Sequence, residues 1–213
     1  MKQYSTLIFD FNGTLVDDLD LCLDILNRML ISNGHEPVTK QQYLDVFNFP
    51  IRDYYAAVGF DLEGKEPFEE LAKVFDAEYR AQFPSLSLFG DVMKVLSRFE
   101  KKYRLMVLSA TKQKELENQV RFLGIDKYFS ALIGIKDIYA FSKVSAGQNY
   151  FDKHPELKQE QVLFIGDTLH DAEVAKALHG DCVLVARGHQ SRKRLEKAAP
   201  VVDTLEDLIP LLG

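Results

Sequence analysis

The sequence predicts an α/β fold in which a parallel β-sheet carries helices on both faces and an all-helical module is inserted after the first strand. From residue 85 onward, short apolar runs alternate with segments of helical periodicity, which is typical of successive βα units. Several of these apolar runs end abruptly at a polar residue. Between residues 18 and 83, in contrast, the apolar stripes all have helical spacing.

The first strand is predicted where Leu7, Ile8 and Phe9 form an apolar run that ends at Asp10. The carboxyl end of a strand in an open α/β sheet faces the ligand crevice. A carboxylate is costly to bury at this position unless it binds a metal, meets a cation or reacts. Asp10 is therefore the first candidate for a functional residue.

Four helices are predicted in the inserted module, from apolar stripes at about 19–29, 39–47, 51–57 and 68–79. Asp17 or Asp18 is the expected N-cap of the first helix, and Gly34 is its expected end. This region is too long for a simple crossover between strands and too regular for a loop. We therefore expect a separate helical domain over residues 17–84.

The remaining sequence is predicted to complete the sheet. Strands are expected at 104–108, 131–135, 162–165 and 182–186, and helices at 92–99, 116–123, 144–151, around 174–178 and at 205–212. This alternation implies parallel strands that are buried on both faces. The core domain is expected to comprise residues 1–16 and 85–213.

Composition narrows the class of protein. The net charge of −6 argues against a nucleic-acid partner bound through a global positive field, although it does not disfavour small anionic substrates. Cys22 and Cys182 lack metal-site spacing, so we expect free thiols in a reducing compartment. The apolar runs are too short to cross a bilayer. A cytoplasmic protein without a membrane partner is expected.

Polar residues follow the predicted strands, or lie between such units, in four separate segments: Asp10, Asn12 and Thr14; Ser109; Lys143; and Asp167 and Asp171. Each has an ordinary explanation alone, such as a helix cap or a solvated lysine. Together they match what a phosphate on a divalent cation requires. Carboxylates suit Mg²⁺, a lysine and a hydroxyl bind phosphate oxygens, and an aspartate can attack phosphorus.

The order Asp10-x-Asn12-x-Thr14, Ser109, Lys143 and Gly166-Asp167-x-x-x-Asp171 resembles the haloacid dehalogenase superfamily of phosphohydrolases. The resemblance covers nearly the whole chain. The helical module lies where the cap domain lies in the subgroup that includes phosphoglycolate phosphatase and β-phosphoglucomutase. The resemblance implies a Rossmann-like core with a helical cap, and hydrolysis of a small phosphorylated metabolite.

The resemblance also implies roles for individual residues. Asp10 would be the nucleophile that becomes an aspartyl-phosphate. Mg²⁺ would be held by Asp10, by the main-chain carbonyl of Asn12 and by Asp167. Asp171 would hold metal-bound water or orient Lys143, and Lys143 would neutralise charge shared by Asp10 and the phosphate.

The phosphate itself would be bound by Ser109, helped by main-chain N–H groups near Asn12, Gly13 and Ala110. Thr14 belongs to the same expected phosphate-binding set. Arg52, on the helical module, is a candidate to grip a second anionic group.

Asn12 departs from the family pattern, in which the second acidic residue of the first motif is the general acid and base. An amide has no proton that titrates near neutral pH, and general acid–base catalysis typically contributes ~10²–10⁴ in rate. Four explanations stay open. The substrate has a good leaving group; another base such as His170, His189 or water acts; the residue is an engineered trap; or the protein binds phosphate with little turnover.

Other branches of the superfamily fit the residues less well. The dehalogenase branch works without a metal and would not need both Asp167 and Asp171. The phosphonatase branch has a small residue at position 12 and a cap lysine, for which Lys40 or Lys65 would be the candidates. A phosphomutase would need the missing acid. We therefore expect a phosphatase that is weakened or unusual.

Overall fold

The computed structural model describes residues 3–136, 143–158 and 161–213. Its main sheet has six parallel strands in the order β5-β4-β1-β6-β7-β8. Two further strands, β2 and β3, form a small antiparallel pair. The strands are β1 Thr6–Phe9, β2 Val16–Asp17, β3 Ser87–Leu88, β4 Arg104–Lys112, β5 Ala131–Ile135, β6 Val162–Gly166, β7 Asp181–Val185 and β8 Val201–Val202.

Ten α-helices lie in the described residues. They are α1 Leu19–Ser32, α2 Lys40–Val46, α3 Ile51–Ala57, α4 Phe68–Gln82, α5 Val92–Phe99, α6 Gln113–Phe122, α7 Lys143–Lys153, α8 Leu169–Ala177, α9 Arg192–Leu195 and α10 Ile209–Leu212. Helices α5 to α10 alternate with the strands of the main sheet, and helices α1 to α4 lie between β2 and β3. The α/β prediction and the all-helical character of the inserted segment are therefore confirmed.

The sheet is buried on both faces because its central strands are apolar throughout. In β1, Leu7 and Phe9 belong to the hydrophobic cluster on one face, and Ile8 belongs to the cluster on the other. All three side chains are at most 1% exposed. Burial of an aliphatic or aromatic side chain stabilises the fold by roughly 1.5–3 kcal/mol, so β1 is firmly held at the centre of the sheet.

Helices α1 to α4 form a third hydrophobic cluster of their own. One stripe of α1 supplies much of it, as the helical spacing predicts: Leu19, Cys22, Ile25, Leu26, Met29 and Leu30. Gly34 follows α1 with φ of 82°, a backbone conformation that glycine adopts without strain. The chain enters and leaves this helical segment through the β2–β3 pair, in which Val16 faces Leu88 and Asp17 faces Ser87.

Several details differ from the predictions. Strand β4 continues to Lys112, so Ser109 lies within the strand and not just past it. The predicted C-terminal helix is a 3₁₀ turn at Leu205–Leu208 followed by the short α10. The two-residue strands β2, β3 and β8 were not predicted, because two residues are too short to show a periodicity.

Two further expectations concern the cysteines and the membrane. Cys22 and Cys182 are both free thiols. None of the described helices combines the length and the hydrophobicity that crossing a membrane would require.

Candidate active site

The polar residues predicted at the strand ends come together because their strands are neighbours. Strand β1 lies between β4 and β6, so Asp10, Ser109 and Asp167 lie side by side at the carboxyl edge of the sheet. Asp10 continues the sheet pairing beyond β1, since its N–H donates to the carbonyl of Ile165 at 2.8 Å. The main chain of this edge is therefore well defined.

Lys143 and Asp171 join the same edge from α7 and α8. Lys143 is only 5% exposed, and its Nζ lies 2.7 Å from Asp10 Oδ1 and also pairs with Asp171 Oδ1. Asp171 additionally accepts hydrogen bonds from the N–H and the hydroxyl of Thr168, at 2.9 and 2.7 Å. Asp171 thus fixes both the start of α8 and the position of the lysine.

The site carries more negative than positive charge. Carboxylate oxygens of Asp10, Asp167 and Asp171 lie within 4.8 Å of one another. Burial raises the pKa of Asp10, although the nearby ammonium of Lys143 opposes this effect. Burial likewise raises the pKa of Asp167 to about 6, and the charge of His189 opposes it. Asp171 is also buried, but the ammonium of Lys143 holds its pKa below the usual range.

This group of three carboxylates, of which Asp167 and Asp171 are buried and Asp10 is partly exposed, is suited to an added divalent cation. Such a cation offsets the carboxylate charge that Lys143 leaves uncompensated. Mg²⁺ prefers oxygen ligands, and carboxylates are its common protein ligands. The donor set of this site therefore fits a metal ion of that kind.

Asp167 is held in place by the turn that follows β1. Thr14 Oγ1 donates to Asp167 Oδ1 at 2.8 Å, and the N–H of His189 donates to Asp167 Oδ2 at 2.7 Å. Gly13 has φ of 69°, and a Cβ atom there or at Gly188 would overlap the Asp167 carboxylate. The approach of these two glycines explains why neither position has room for a side chain.

Asn12 is immobilised by three polar partners. Its Nδ2 donates to Asp18 Oδ2 at 2.8 Å and to the hydroxyl of Tyr79. Its Oδ1 accepts a hydrogen bond from Thr111 Oγ1 at 3.0 Å. Since both the nitrogen and the oxygen of the amide are hydrogen-bonded, the side chain of Asn12 is held in one orientation. An amide also has no group that titrates near neutral pH.

Asp18 and His189 form a buried ion pair next to Asn12. His189 Nε2 lies 3.1 Å from Asp18 Oδ1, and the carboxylate also accepts from the N–H of Gly13 at 2.9 Å. Burial opposes both charges, but each partner supports the other. The pKa of His189 is raised to about 9, and the pKa of Asp18 is lowered.

Sequence reasoning did not find this role for Asp18. Asp18 occupies the N-cap position of α1, as one of the two predicted candidates, yet its side chain makes no capping hydrogen bond. An aspartate at a helix start is typical of a cap, so the sequence carried no signal for the contact with His189. From the sequence, His189 is predicted as a possible substitute base, and its pairing with Asp18 is not predicted.

A cavity of about 890 Å³ lies above this edge, between the helical segment and the core. Its core side includes Asp10, Asn12, Ser109, Ala110 and Lys143. Asp10, Ser109 and Lys143 therefore share one cavity, whereas Asp167 and Asp171 lie behind its lining.

Three predicted residues lie elsewhere or have other partners. Thr14 is fully buried and donates to Asp167, so its hydroxyl supports that carboxylate. Arg52 lines the cavity from the helical segment and forms an ion pair with Glu63. His170 pairs with Glu173 at 3.0 Å.

A family model described as haloacid dehalogenase-like hydrolase matches residues 7–185 of the chain. The parallel sheet, the aspartates along its carboxyl edge and this match define a hydrolase with a Rossmann-like core. The chain belongs to the haloacid dehalogenase-like hydrolase family. The family resemblance seen in the sequence motifs is thus confirmed.

The chain is also similar to individual proteins along nearly its whole length. It is 24% identical to a phosphoglycolate phosphatase of Synechococcus elongatus, covering 95% of this chain and 94% of that protein. It is 22% identical to the pyrophosphatase PpaX of Anoxybacillus flavithermus, covering 98% and 97%. A haloacid dehalogenase-like hydrolase from Streptococcus pneumoniae has the same fold, with a TM-score of 0.85, 18% identity and full coverage of both chains.

Proposed function

We propose that the protein is a Mg²⁺-dependent phosphatase that hydrolyses a small phosphorylated metabolite in the cytoplasm through an aspartyl-phosphate on Asp10. The phosphatase names of the curated relatives support this proposal. The observation that carries it is the 2.7 Å contact between Lys143 and Asp10 beside a cavity large enough for a small molecule.

Asp10 is the proposed nucleophile. An Asp10 oxygen attacks phosphorus in line with the leaving oxygen, and the carboxylate and phosphate must approach although both are negative. Lys143 reduces that repulsion because its ammonium already contacts Asp10. Ser109 and the N–H groups near Asn12 and Ala110 are proposed to hold the phosphoryl oxygens, since the N–H of Gly13 already donates to Asp18.

The proposed Mg²⁺ ligands are Asp10, the main-chain carbonyl of Asn12, Asp167 and Asp171. When bound, the ion supplies positive charge that draws the phosphate towards the carboxylates. The chain's own part is to hold Asp167 rigidly through Thr14 and His189. Asp171 orients Lys143 through their ion pair.

We also propose that residues 17–84 act as a cap domain on a core formed by residues 1–16 and 85–213. The separate hydrophobic cluster of helices α1 to α4 supports this division. So does the β2–β3 pair, which brings the two connecting strands together. In this position the cap selects substrates, and Arg52 is a candidate contact for them.

A phosphate-binding protein with little turnover is the second candidate function. Asn12 favours it, because the amide cannot protonate a leaving group or activate water. The retained Asp10 and Lys143 favour the phosphatase, since binding alone does not require a nucleophile.

Release of inorganic phosphate from acetyl phosphate separates the two functions. We expect turnover that depends on Mg²⁺, is lost with a chelator, and falls below detection in Asp10→Ala. Asp24→Asn, an exposed position on α1, is the matched control and should keep full activity. Phosphate binding without turnover would favour the binding protein.

Thermal unfolding tests the metal site without turnover. A ligand that binds only the folded state raises the unfolding temperature with its concentration. We expect Mg²⁺ to raise the midpoint for the unaltered chain and to have a much smaller effect on Asp167→Asn. An equal effect on both proteins would place the ion elsewhere.

A further inference from the structure

We propose that the substrate is an aryl phosphate, in which the phosphate oxygen is attached directly to an aromatic ring. This inference rests on the proposed phosphatase function and adds the class of its leaving group. Three features of the described residues carry it: the aromatic wall of the cavity, the pairing of its cations, and the fixed amide at position 12.

The wall that the helical segment contributes is largely aromatic. Phe47, Phe49, Phe68, Phe75 and Tyr79 line the cavity, and all five are only partly buried, so each keeps surface that a ligand can cover. Aromatic rings attract one another in offset or edge-to-face contacts beyond their area of burial. A flat ring is therefore the group that this wall binds best.

The shape of the wall is held by ring contacts on both sides. Phe49 stacks on His170 of the core, with ring centroids 4.9 Å apart. Phe75 stacks on Tyr79 at 6.1 Å. Because these contacts already orient the rings, a bound aromatic group meets a wall that is largely preformed.

The arginine and lysine side chains that line the cavity are already paired among the described residues. Arg52 pairs with Glu63, and Arg80 and Lys112 both pair with Asp76, at 2.9 and 3.1 Å. A second anionic group on the substrate would have to share its cation with one of these carboxylates. An uncharged ring next to the phosphate meets no such competition.

Tyr54 offers one further polar contact. It is 3% exposed, it lines the cavity, and its hydroxyl has no hydrogen-bond partner in the described part of the chain. A buried unpaired hydroxyl is unfavourable. An acceptor substituent on a bound ring would satisfy it.

The fixed amide of Asn12 also favours an aryl phosphate, because an aryl leaving group needs no proton from position 12. In the first step, an Asp10 oxygen bonds to phosphorus and the bond from phosphorus to the aryl oxygen breaks. The electron pair leaves on the oxygen as a phenolate, whose charge is delocalised into the ring. No proton has to be donated by the protein, so the absence of an acid at position 12 costs less than it would for an alkyl ester.

The second step regenerates Asp10. A water oxygen bonds to phosphorus, and the bond from phosphorus to the Asp10 oxygen breaks, with its electron pair returning to the carboxylate. Both protons of the water remain on the released phosphate, which leaves as the dihydrogen monoanion. Atoms and charge balance without an additional reactant.

Two comparisons test the inference. The first measures kcat/KM for 4-nitrophenyl phosphate and acetyl phosphate. Acetyl phosphate has the better leaving group but no ring. We expect a higher kcat/KM for 4-nitrophenyl phosphate, because binding of its ring by the aromatic wall outweighs the difference in leaving group. The second measures binding of phenylphosphonate and methylphosphonate, which cannot be hydrolysed, by calorimetry. We expect phenylphosphonate to bind at least about tenfold more tightly.

Phe75→Leu and Phe49→Leu should each reduce the ratio of the two kcat/KM values by about two- to tenfold. Two variants are used so that a folding defect in one does not decide the outcome. Phe122→Leu is the matched control, because Phe122 is 58% exposed and lies outside the cavity. It should leave the ratio unchanged.

The outcomes separate the inference from the proposed function. Turnover of acetyl phosphate without preference for the aryl substrate, together with equal phosphonate affinities, overturns the inference and leaves the phosphatase standing. Absence of turnover with both substrates overturns the phosphatase and the aryl substrate with it. Preference for the ring in both comparisons supports the inference.

Discussion

At the scale of single residues, the amide of Asn12 connects the reactive edge of the sheet to the helical segment. Its contact with Asp18 reaches the start of α1, its contact with Tyr79 reaches α4, and its contact with Thr111 reaches β4. A carboxylate at this position would face the carboxylate of Asp18 at hydrogen-bond distance. Two carboxylates so close share a proton, which raises the pKa of one of them.

Asn12→Asp is therefore expected to gain a proton donor beside the leaving oxygen. We expect turnover of an alkyl phosphate such as glycerol phosphate to rise by about 10²-fold relative to 4-nitrophenyl phosphate. Steady-state kinetics at neutral pH measures the ratio, with the exposed Asn118→Asp as control. An unchanged ratio would mean that another group handles the proton.

Removal of the tyrosine hydroxyl is expected to affect stability differently at Tyr79 and at Tyr54. The Tyr79 hydroxyl donates to Asp18 at 2.8 Å and accepts from Asn12, so Tyr79→Phe should lower the free energy of unfolding by about 1–3 kcal/mol. Tyr54→Phe removes an unpaired buried hydroxyl and should leave stability equal or higher. Urea unfolding measures both, and equal losses would contradict the hydrogen bonds described.

The sequence allowed the prediction of Asp10, Ser109, Lys143, Asp167 and Asp171 as neighbours, because each lies near a strand end or a unit boundary. It did not allow the prediction of the pair between Asp18 and His189, which are 171 positions apart. That contact depends on how the start of α1 meets the turn after β7. No local pattern of either residue specifies it.

At the scale of elements, the connection between α3 and α4 is held by one buried carboxylate. Glu66 accepts a hydrogen bond from the N–H of Asp61, and its other oxygen lies 2.8 Å from His35 Nε2. The hydrogen bond from the N–H of Asp61 lowers the pKa of Glu66, and this effect is larger than the opposing effect of burial. The contact with His35 lowers the pKa further. This carboxylate thus joins the α3–α4 connection to the chain that follows α1.

The pH dependence of this contact has a defined sign. Because the pKa of Glu66 is lower in the folded than in the unfolded state, its contribution is complete above the unfolded pKa and is lost as pH falls through the folded pKa. Glu66→Gln should lower the free energy of unfolding by about 1 kcal/mol at pH 7, with the difference shrinking in acid. Glu36→Gln, at an exposed position, is the control for denaturation at both pH values. A difference that grows in acid would contradict the lowered pKa.

Most helices and long strands could be predicted from periodicity, and the differences are instructive. The predicted end of β4 at Leu108 is too early, because the polar Ser109 and Thr111 interrupt the apolar run yet continue the strand. The register between β4 and β5 shifts between Leu108 and Lys112. Pairing with the neighbouring strand, which the sequence pattern does not record, extends the element.

At the scale of the whole molecule, the helical segment lies over the carboxyl edge of the sheet, where Asp10 is located. The helical segment contacts the core through main-chain atoms, since the carbonyl of Phe47 accepts from Gln190 at 2.8 Å and from Arg194 at 2.6 Å. The sequence predicts the helical segment and the α/β core from their different periodicities. It could not predict their relative placement, because that placement depends on contacts such as these between distant segments.

The proposed covalent phosphorylation of Asp10 connects the sheet and the cavity with the proposed chemistry, and it can be measured directly. The enzyme is mixed with Mg²⁺ and 4-nitrophenyl phosphate, quenched in acid, reduced with borohydride and digested for mass spectrometry. Reduction converts an aspartyl-phosphate into homoserine. We predict homoserine at position 10 in the unaltered chain and none in Asp10→Ala. Turnover with no homoserine, or homoserine at another aspartate, would contradict the assignment of Asp10 as the nucleophile.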